Sequence, residues 1–277
     1  MEWRIQVDNH SSVIDIFEDH APITVGAISR LLPLKIDLHY AKIAGQEVYG
    51  MIPLILPLEN KKIVGNFESG TVAYYPDMQM FCLFHGKVQP EDAFASVIGK
   101  LRPDPILFEI LESVKFRSSV NLFLSDSDVF CPCYEKKFQL LGSNWDHFWE
   151  KPINEIAELT KRTGQSMPSG PIILSWGSVI SLRGFLWKIY QLFSKKGYFD
   201  EESFLAISEH AQEVLDGWYG LKETANAIKI FSESICSGKQ RLTDLEEMIL
   251  FAGRLNMWID SMIPWEEVNE VFVNKYQ

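Results

Sequence analysis

Apolar and polar positions follow two different rhythms along this chain. Up to about Leu124 they alternate in short runs, and from about Pro152 onward they recur every three or four residues. In the first part, strands are predicted at Trp3-Arg4-Ile5-Gln6-Val7, Val13 to Phe17, Lys35 to Ile43, Glu47-Val48-Tyr49, Thr71 to Tyr75, Met80 to Phe84, Ser96 to Leu101 and Ser119 to Leu124. Pro22 suits the first turn of a helix that runs from Ile23 to Leu32 and stops at Pro33. Asp104-Pro105 supplies an N-cap and a helix-opening proline for a second helix ending near Val114. Many short strands with two short helices predict a closed barrel whose ends are plugged by helices.

The second rhythm predicts helices at Ile153 to Arg162, Ile172 to Lys195, one capped by Asp200 and stopping around Gly217, Leu221 to Ser237 and from Thr243 to about Ile259, with a final one starting at Pro264. Thr243 with Glu246 has the spacing of a capping box. Gly197 and Gly238 are natural C-caps. The segment from Ile172 to Lys195 is apolar on most sides, so it is buried on several faces or lies in a subunit interface. Short connections favour antiparallel packing. The fold class read from this pattern is α+β: residues 1–125 a closed β-barrel domain with two short helices, 126–151 a linker, and 152–277 an all-α helical bundle.

Composition narrows the function. Apolar residues make up 47% of the 277 residues, which describes a chain able to build a core. The net charge of −11 is spread over both halves, so no basic stripe is available to neutralise phosphates and nucleic-acid binding is not expected. Met1 to Val7 reads as a strand rather than a secretory signal, and the weakly charged stretch Gly164 to Leu182 is broken by Pro168, Gly170 and Pro171. A cytoplasmic protein without a membrane partner is expected. Cys82, Cys131, Cys133 and Cys236 form no framework; Cys131-Pro132-Cys133 lacks a second pair, so no metal is expected and reduced thiols are the default.

Several segments, in order, resemble the cyclophilin-like fold. Ile14-Asp15-Ile16-Phe17 leading into Ala21-Pro22-Ile23-Thr24-Val25 is similar to the cyclophilin opening, and Val97 to Leu101, a helix and a last strand are similar to its end. Gly45 to Tyr49, Leu58-Glu59-Asn60, Gly70 to Pro76 and Cys82 to Gly86 resemble bacterial cyclophilin-like proteins. The resemblance does not carry prolyl isomerisation. Counting back from Gly45, Ala41 stands where the isomerase arginine belongs, and Gln46 and Tyr49 replace the other two groove residues. An alanine cannot supply a charged donor to a rotating amide.

A cyclophilin-like barrel followed by a helical bundle resembles the cucumopine and mikimopine synthases. That resemblance implies a condensation of L-histidine with 2-oxoglutarate by a Pictet–Spengler reaction, without a redox cofactor. In agreement, no G-x-G-x-x-G follows a strand to hold a dinucleotide. Such chemistry needs groups that move protons, and the barrel offers Glu47, His39, His85, Tyr49 and Tyr75, in segments that border the ligand groove of the family fold. Tyr74 and Tyr75 point to opposite faces, so only one can reach the groove. Asn60, Phe84, Lys42, Lys100 and Arg183 are the candidates for holding substrate, the cations for carboxylates.

Each of these has a plainer reading. Glu47 could be an exposed turn carboxylate, the two histidines satisfied structural groups, and Asn60 a turn cap. Arg183 interrupts an apolar helix and could answer a carboxylate of a neighbouring helix instead of a substrate. The expected partners are an amino acid and an α-keto acid, with a homo-oligomer built through the helices. The alternatives are a noncatalytic small-ligand-binding module and a weak peptidyl-prolyl isomerase.

Overall fold

The alternating half closes into a ring. The protein is described by a computed structural model for residues 1–42, 45–63, 67–89, 93–116, 120–127, 136–161 and 170–265, with Val268 and Glu270. It divides into two compact units, residues 1–135 and 136–277. The first contains β1 (Glu2–Val7), β2 (His10–Ile16), β3 (Leu34–Tyr40), β4 (Gly45–Met51), β5 (Lys62–Ile63), β6 (Thr71–Tyr75), β7 (Met80–Val88), β8 (Phe94–Leu101) and β9 (Val120–Ser125). The pairings are antiparallel in the order β2-β1-β9-β3-β4-β7-β6-β8, and β2 pairs with β8 again at Ile14↔Leu101 and Ile16↔Gly99. Eight strands therefore form a closed barrel, with the two-residue β5 added beside β8.

Period-two alternation decides which side chains go inside. Trp3, Ile5 and Val7, Leu34, Ile36 and Leu38, Val72 and Tyr74, Phe81 and Leu83, and Leu122 and Leu124 share one buried core. The helices α1 (Pro22–Ser29) and α2 (Pro105–Ser113) close it with Val25, Ile28, Leu107 and Leu111. Asp104 caps α2 as its sequence predicts, accepting from the Leu107 N–H at 3.0 Å. The closed barrel expected from the pattern is present, and so is the helical C-terminal region.

Helix α1 has no local side-chain cap. Its first N–H groups are answered by a remote carboxylate: Glu59 accepts from the Ile23 N–H at 3.1 Å, the Thr24 N–H at 2.8 Å and the Thr24 hydroxyl at 2.7 Å. The second unit repeats the device. At the start of α6 (Lys222–Ser237), Glu155 accepts from the Glu223 N–H at 2.8 Å and from the Thr224 N–H and hydroxyl at 2.6 Å. Charge-assisted bonds to a helix N-terminus are worth about 1–2 kcal/mol. Glu155→Ala should lower the unfolding free energy by about that amount in a urea titration. A loss below about 0.3 kcal/mol would show that water caps α6 equally well.

The second unit carries α3 (Asn154–Ala157), α4 (Gly170–Lys196), α5 (Glu201–Gly217), α6 and α7 (Arg241–Met262). α7 is buried on almost every side, and α4 and α6 pack against it. α4 is long and apolar enough by composition to cross a membrane. Within the unit it packs against α5 and α7, burying Ile172, Val179, Leu182, Leu186 and also Arg183.

Two sequence expectations change here. Residues from Lys136 belong to the helical unit rather than to a linker: Phe138, Trp145, Phe148 and Trp149 are buried, and Trp258 donates its indole N–H to the Phe148 carbonyl at 2.9 Å. Aromatics on irregular backbone have no period, so the pattern hid them. Thr243 does not cap α7; that helix begins at Arg241, whose guanidinium lies 4.4 Å from the Phe199 ring centre and donates to the Ile235 carbonyl at 3.0 Å. Glu246 is occupied instead by the Tyr190 hydroxyl, and burial raises its pKa. Cys131 and Cys133 lie outside the described residues, as does most of the helix expected from Pro264.

Candidate functional site

The barrel wall formed by β3, β4, β7 and β6 has an inner face in the core and an outer face whose side chains can be placed by register. One outer row is His39–Tyr49–Cys82–Ala73, from the pairs His39↔Tyr49, Tyr49↔Cys82 and Ala73↔Cys82. The adjacent row contains Glu47 and Phe84, which are directly paired, and Ala41 joins it by donating its N–H to the Glu47 carbonyl at 2.9 Å. Ala41 thus sits beside Glu47. The third row contains Met51, Met80 and Tyr75.

This outer face is mostly apolar and shielded. Cys82 and Phe84 are each 2% exposed, Ala73 is fully buried, and Phe67 meets Phe84 edge-to-face with ring centres 4.9 Å apart. Set among them, Glu47 is only 7% exposed. The plain reading of Glu47 as an exposed turn carboxylate does not hold. A carboxylate so placed carries a large desolvation cost, which is the condition under which it can work as a proton carrier. The His39 and Tyr49 rings stack beside it, 5.9 Å apart and inclined by 19°.

Not all the sequence-predicted residues share this place. Tyr75 is the outward member of its pair, since Tyr74 is fully buried and gives its hydroxyl to the Leu54 carbonyl at 2.7 Å. Tyr75 nevertheless lies two rungs from Glu47, roughly 13 Å along the strands, too far for direct proton transfer. His85 is on the inner face, in line with Leu83 and Phe81, because successive residues of a strand point to opposite sides. Asn60 is a structural staple: it donates to the His20 and Val97 carbonyls at 2.8 and 2.9 Å and accepts from the Val97 N–H at 3.0 Å. Lys100 is paired with Glu68 at 2.8 Å on the surface. Lys42 is exposed next to Ala41. Arg183 lies in the other unit, 1% exposed on α4.

His85 belongs to a second cluster at one end of the barrel interior, which the sequence did not announce. Glu112, in the last turn of α2, accepts from the Tyr40 hydroxyl at 3.2 Å and the Gln46 amide at 3.4 Å, and is ion-paired with Lys115. The His85 Nδ1 is 3.7 Å away, and its Nε2 is buried with no hydrogen-bond partner. Lys115 is the main cause holding the Glu112 carboxyl below its usual range. Burial and the Glu112 charge push Tyr40 up to about 12. One signal could have revealed Glu112: a carboxylate at a helix C-terminus opposes the helix dipole and needs other donors to hold it there.

Burial lowers the pKa of His85, against the pull of Glu112. Between the folded and unfolded pKa values the unfolded chain binds the extra proton, so stability rises with pH there. The contribution is fully present above the ordinary value of 6.5 and is lost as pH falls through and below it. Melting temperature against pH should therefore fall less steeply below 6.5 in His85→Gln than in the native protein. Identical acid limbs would mean that His85 is protonated equally in both states.

Residues 5–122 match the profile of the Cyclophilin-like family. Among solved structures, McbB in complex with tryptophan matches over 97% of this chain and 99% of that chain, with a TM-score of 0.80 and 15% sequence identity. The solution structure of the hypothetical protein AF2241 from Archaeoglobus fulgidus is 26% identical over 46% of this chain and 95% of that chain, with a TM-score of 0.37. No curated protein matches the chain. The barrel is thus cyclophilin-like, and at 15% identity the likeness to McbB is one of fold.

Proposed function

We propose that the outer face of β3, β4 and β7 catalyses a cofactor-independent condensation of an amino acid with an α-keto acid. The reading is an opine synthase of the cucumopine and mikimopine type, with L-histidine and 2-oxoglutarate as substrates. The observation that carries it is Glu47, a carboxylate 7% exposed on a mostly apolar barrel face beside Phe84. Fold likeness to McbB, which binds tryptophan, supports a pocket for a free amino acid.

The chemistry assigns each group a task. The substrate amine adds to the keto carbon and the keto oxygen leaves as water, giving an iminium. Electrons of the imidazole carbon then form the new C–C bond to that iminium carbon, and the ring carbon's proton passes to Glu47. In this reading Tyr49 and His39, whose rings stack one row away, deliver the proton that the departing oxygen needs. Phe84 and Cys82 keep bulk water from the carboxylate, which strengthens its basicity. Lys42 is the cation proposed for a substrate carboxylate. A homo-oligomer formed through α4 remains part of the reading, since Leu174 and Phe185 are 57% and 52% exposed.

The test is to incubate the purified chain with L-histidine and 2-oxoglutarate and follow the product by mass spectrometry. The expected product has the summed mass of both substrates less one water. Its absence at every pH tried, with saturable binding of either substrate, would favour a noncatalytic ligand-binding module.

A further inference from the structure

The strand carrying Glu47 is held in an unusual way. Between the pairs Gly45↔Val88 and Glu47↔Phe84, β4 advances two residues while β7 advances four. The two strands part there, and backbone groups that would pair in a regular ladder need other partners. The Gln46 side chain spans the opening. Its amide oxygen accepts from the Lys87 N–H at 2.9 Å, and its amide nitrogen donates to Glu112 at 3.4 Å. Gly86 leaves the space for it, since a Cβ there would overlap the Gln46 amide oxygen. Gly45 begins the widened stretch with φ +97°, a left-handed conformation that favours glycine.

Gln46 and Glu47 are consecutive, so whatever holds the half-buried Gln46 side chain against Lys87 and Glu112 also constrains the backbone that carries Glu47 beside Phe84. We infer that Gln46 is a positioning residue, transmitting the anchorage of Glu112 and the β7 backbone to the direction in which Glu47 presents its carboxylate. The inference rests on Glu47 being the proton carrier proposed above. It extends that reading from the reacting face to a side chain that touches no substrate.

The experiment pairs a spectroscopic signature with turnover. In protein labelled with 13C at glutamate carboxyls, the Glu47 resonance is identified by its loss in Glu47→Gln and then titrated in Gln46→Ala. The expected result is a midpoint displaced by about 0.5 to 1 pH unit, with turnover reduced about 10- to 100-fold at nearly unchanged KM. Gln46→Glu, which sets two carboxylates together, should behave like Gln46→Ala. Combining it with Glu112→Gln restores the bond with donor and acceptor exchanged, and should bring the titration back towards native.

An unmoved Glu47 midpoint in folded Gln46→Ala would overturn the inference, as would a double variant no better than Gln46→Glu alone. If Gln46→Ala does not fold, the double variant and Gly86→Ala carry the same titration. If the native chain turns over neither substrate, the proposed function fails, while the titration still decides whether Gln46 orients Glu47.

Discussion

Glu47→Gln is expected to lower turnover about 10²- to 10⁴-fold while moving the melting temperature by no more than about 3 °C. The asymmetry comes from what the substitution removes. Gln keeps the volume and hydrogen-bonding reach of the side chain at a position 7% exposed, so packing beside Phe84 is unchanged. It deletes a charge whose burial is costly, and the chain can even gain stability. It also deletes the only form of the group that can take a proton from carbon. A steady-state assay beside a thermal melt reads both quantities on one preparation. Parallel losses in turnover and stability would show that Glu47 serves the fold. Tyr75→Phe is the internal control, because two rungs separate Tyr75 from Glu47 and less than a threefold change is expected.

Phe251→Ala should cost the helical unit about 3–5 kcal/mol. Phe251 is fully buried in α7, and its ring centre lies 5.0 Å from Phe148, 5.1 Å from Trp145, 5.5 Å from Phe231 and 5.6 Å from Phe138. Truncation leaves a cavity bordered by four rings, three of them from residues 138–148, whose irregular backbone cannot collapse into it easily. At roughly 2–4 °C per kcal/mol, the transition of this unit should drop by about 6–20 °C in a far-UV melt. A loss under about 1 kcal/mol would mean that the 138–148 segment is not integral to the helical unit.

Sequence periodicity made the barrel and the helices legible because each side chain's environment repeats every two, or every three to four, residues. Asp104 and Asp200 were readable as caps because their acceptors reach the N–H groups of Leu107 and Ser203 only three residues on. What escaped was non-local. Glu59 and Glu155 cap helices 35 and 69 residues away, at Thr24 and Thr224, and no spacing rule reaches that far. The candidate site was half legible. Alternation showed that only one of Tyr74 and Tyr75 faces outward but not which, and burial of Tyr74 decides it; the same alternation, applied from Phe84 to His85, places the histidine inside. Glu112 and Gln46 meet only once the ring closes, so their pairing is a property of the barrel and not of any segment.

Closure through β2 and β8 also has a consequence for self-association. On one flank β8 gives residues 99–101 to β2 and residues 94–95 to β5, and on the other it pairs with β6. Among the described residues, the main barrel strands thus expose no long run of vacant amides and carbonyls on which a foreign strand could template itself. Contacts between copies made through these described strands would rest on side chains, and any assembly formed that way should dissolve with dilution or mild detergent instead of ripening into cross-β fibres.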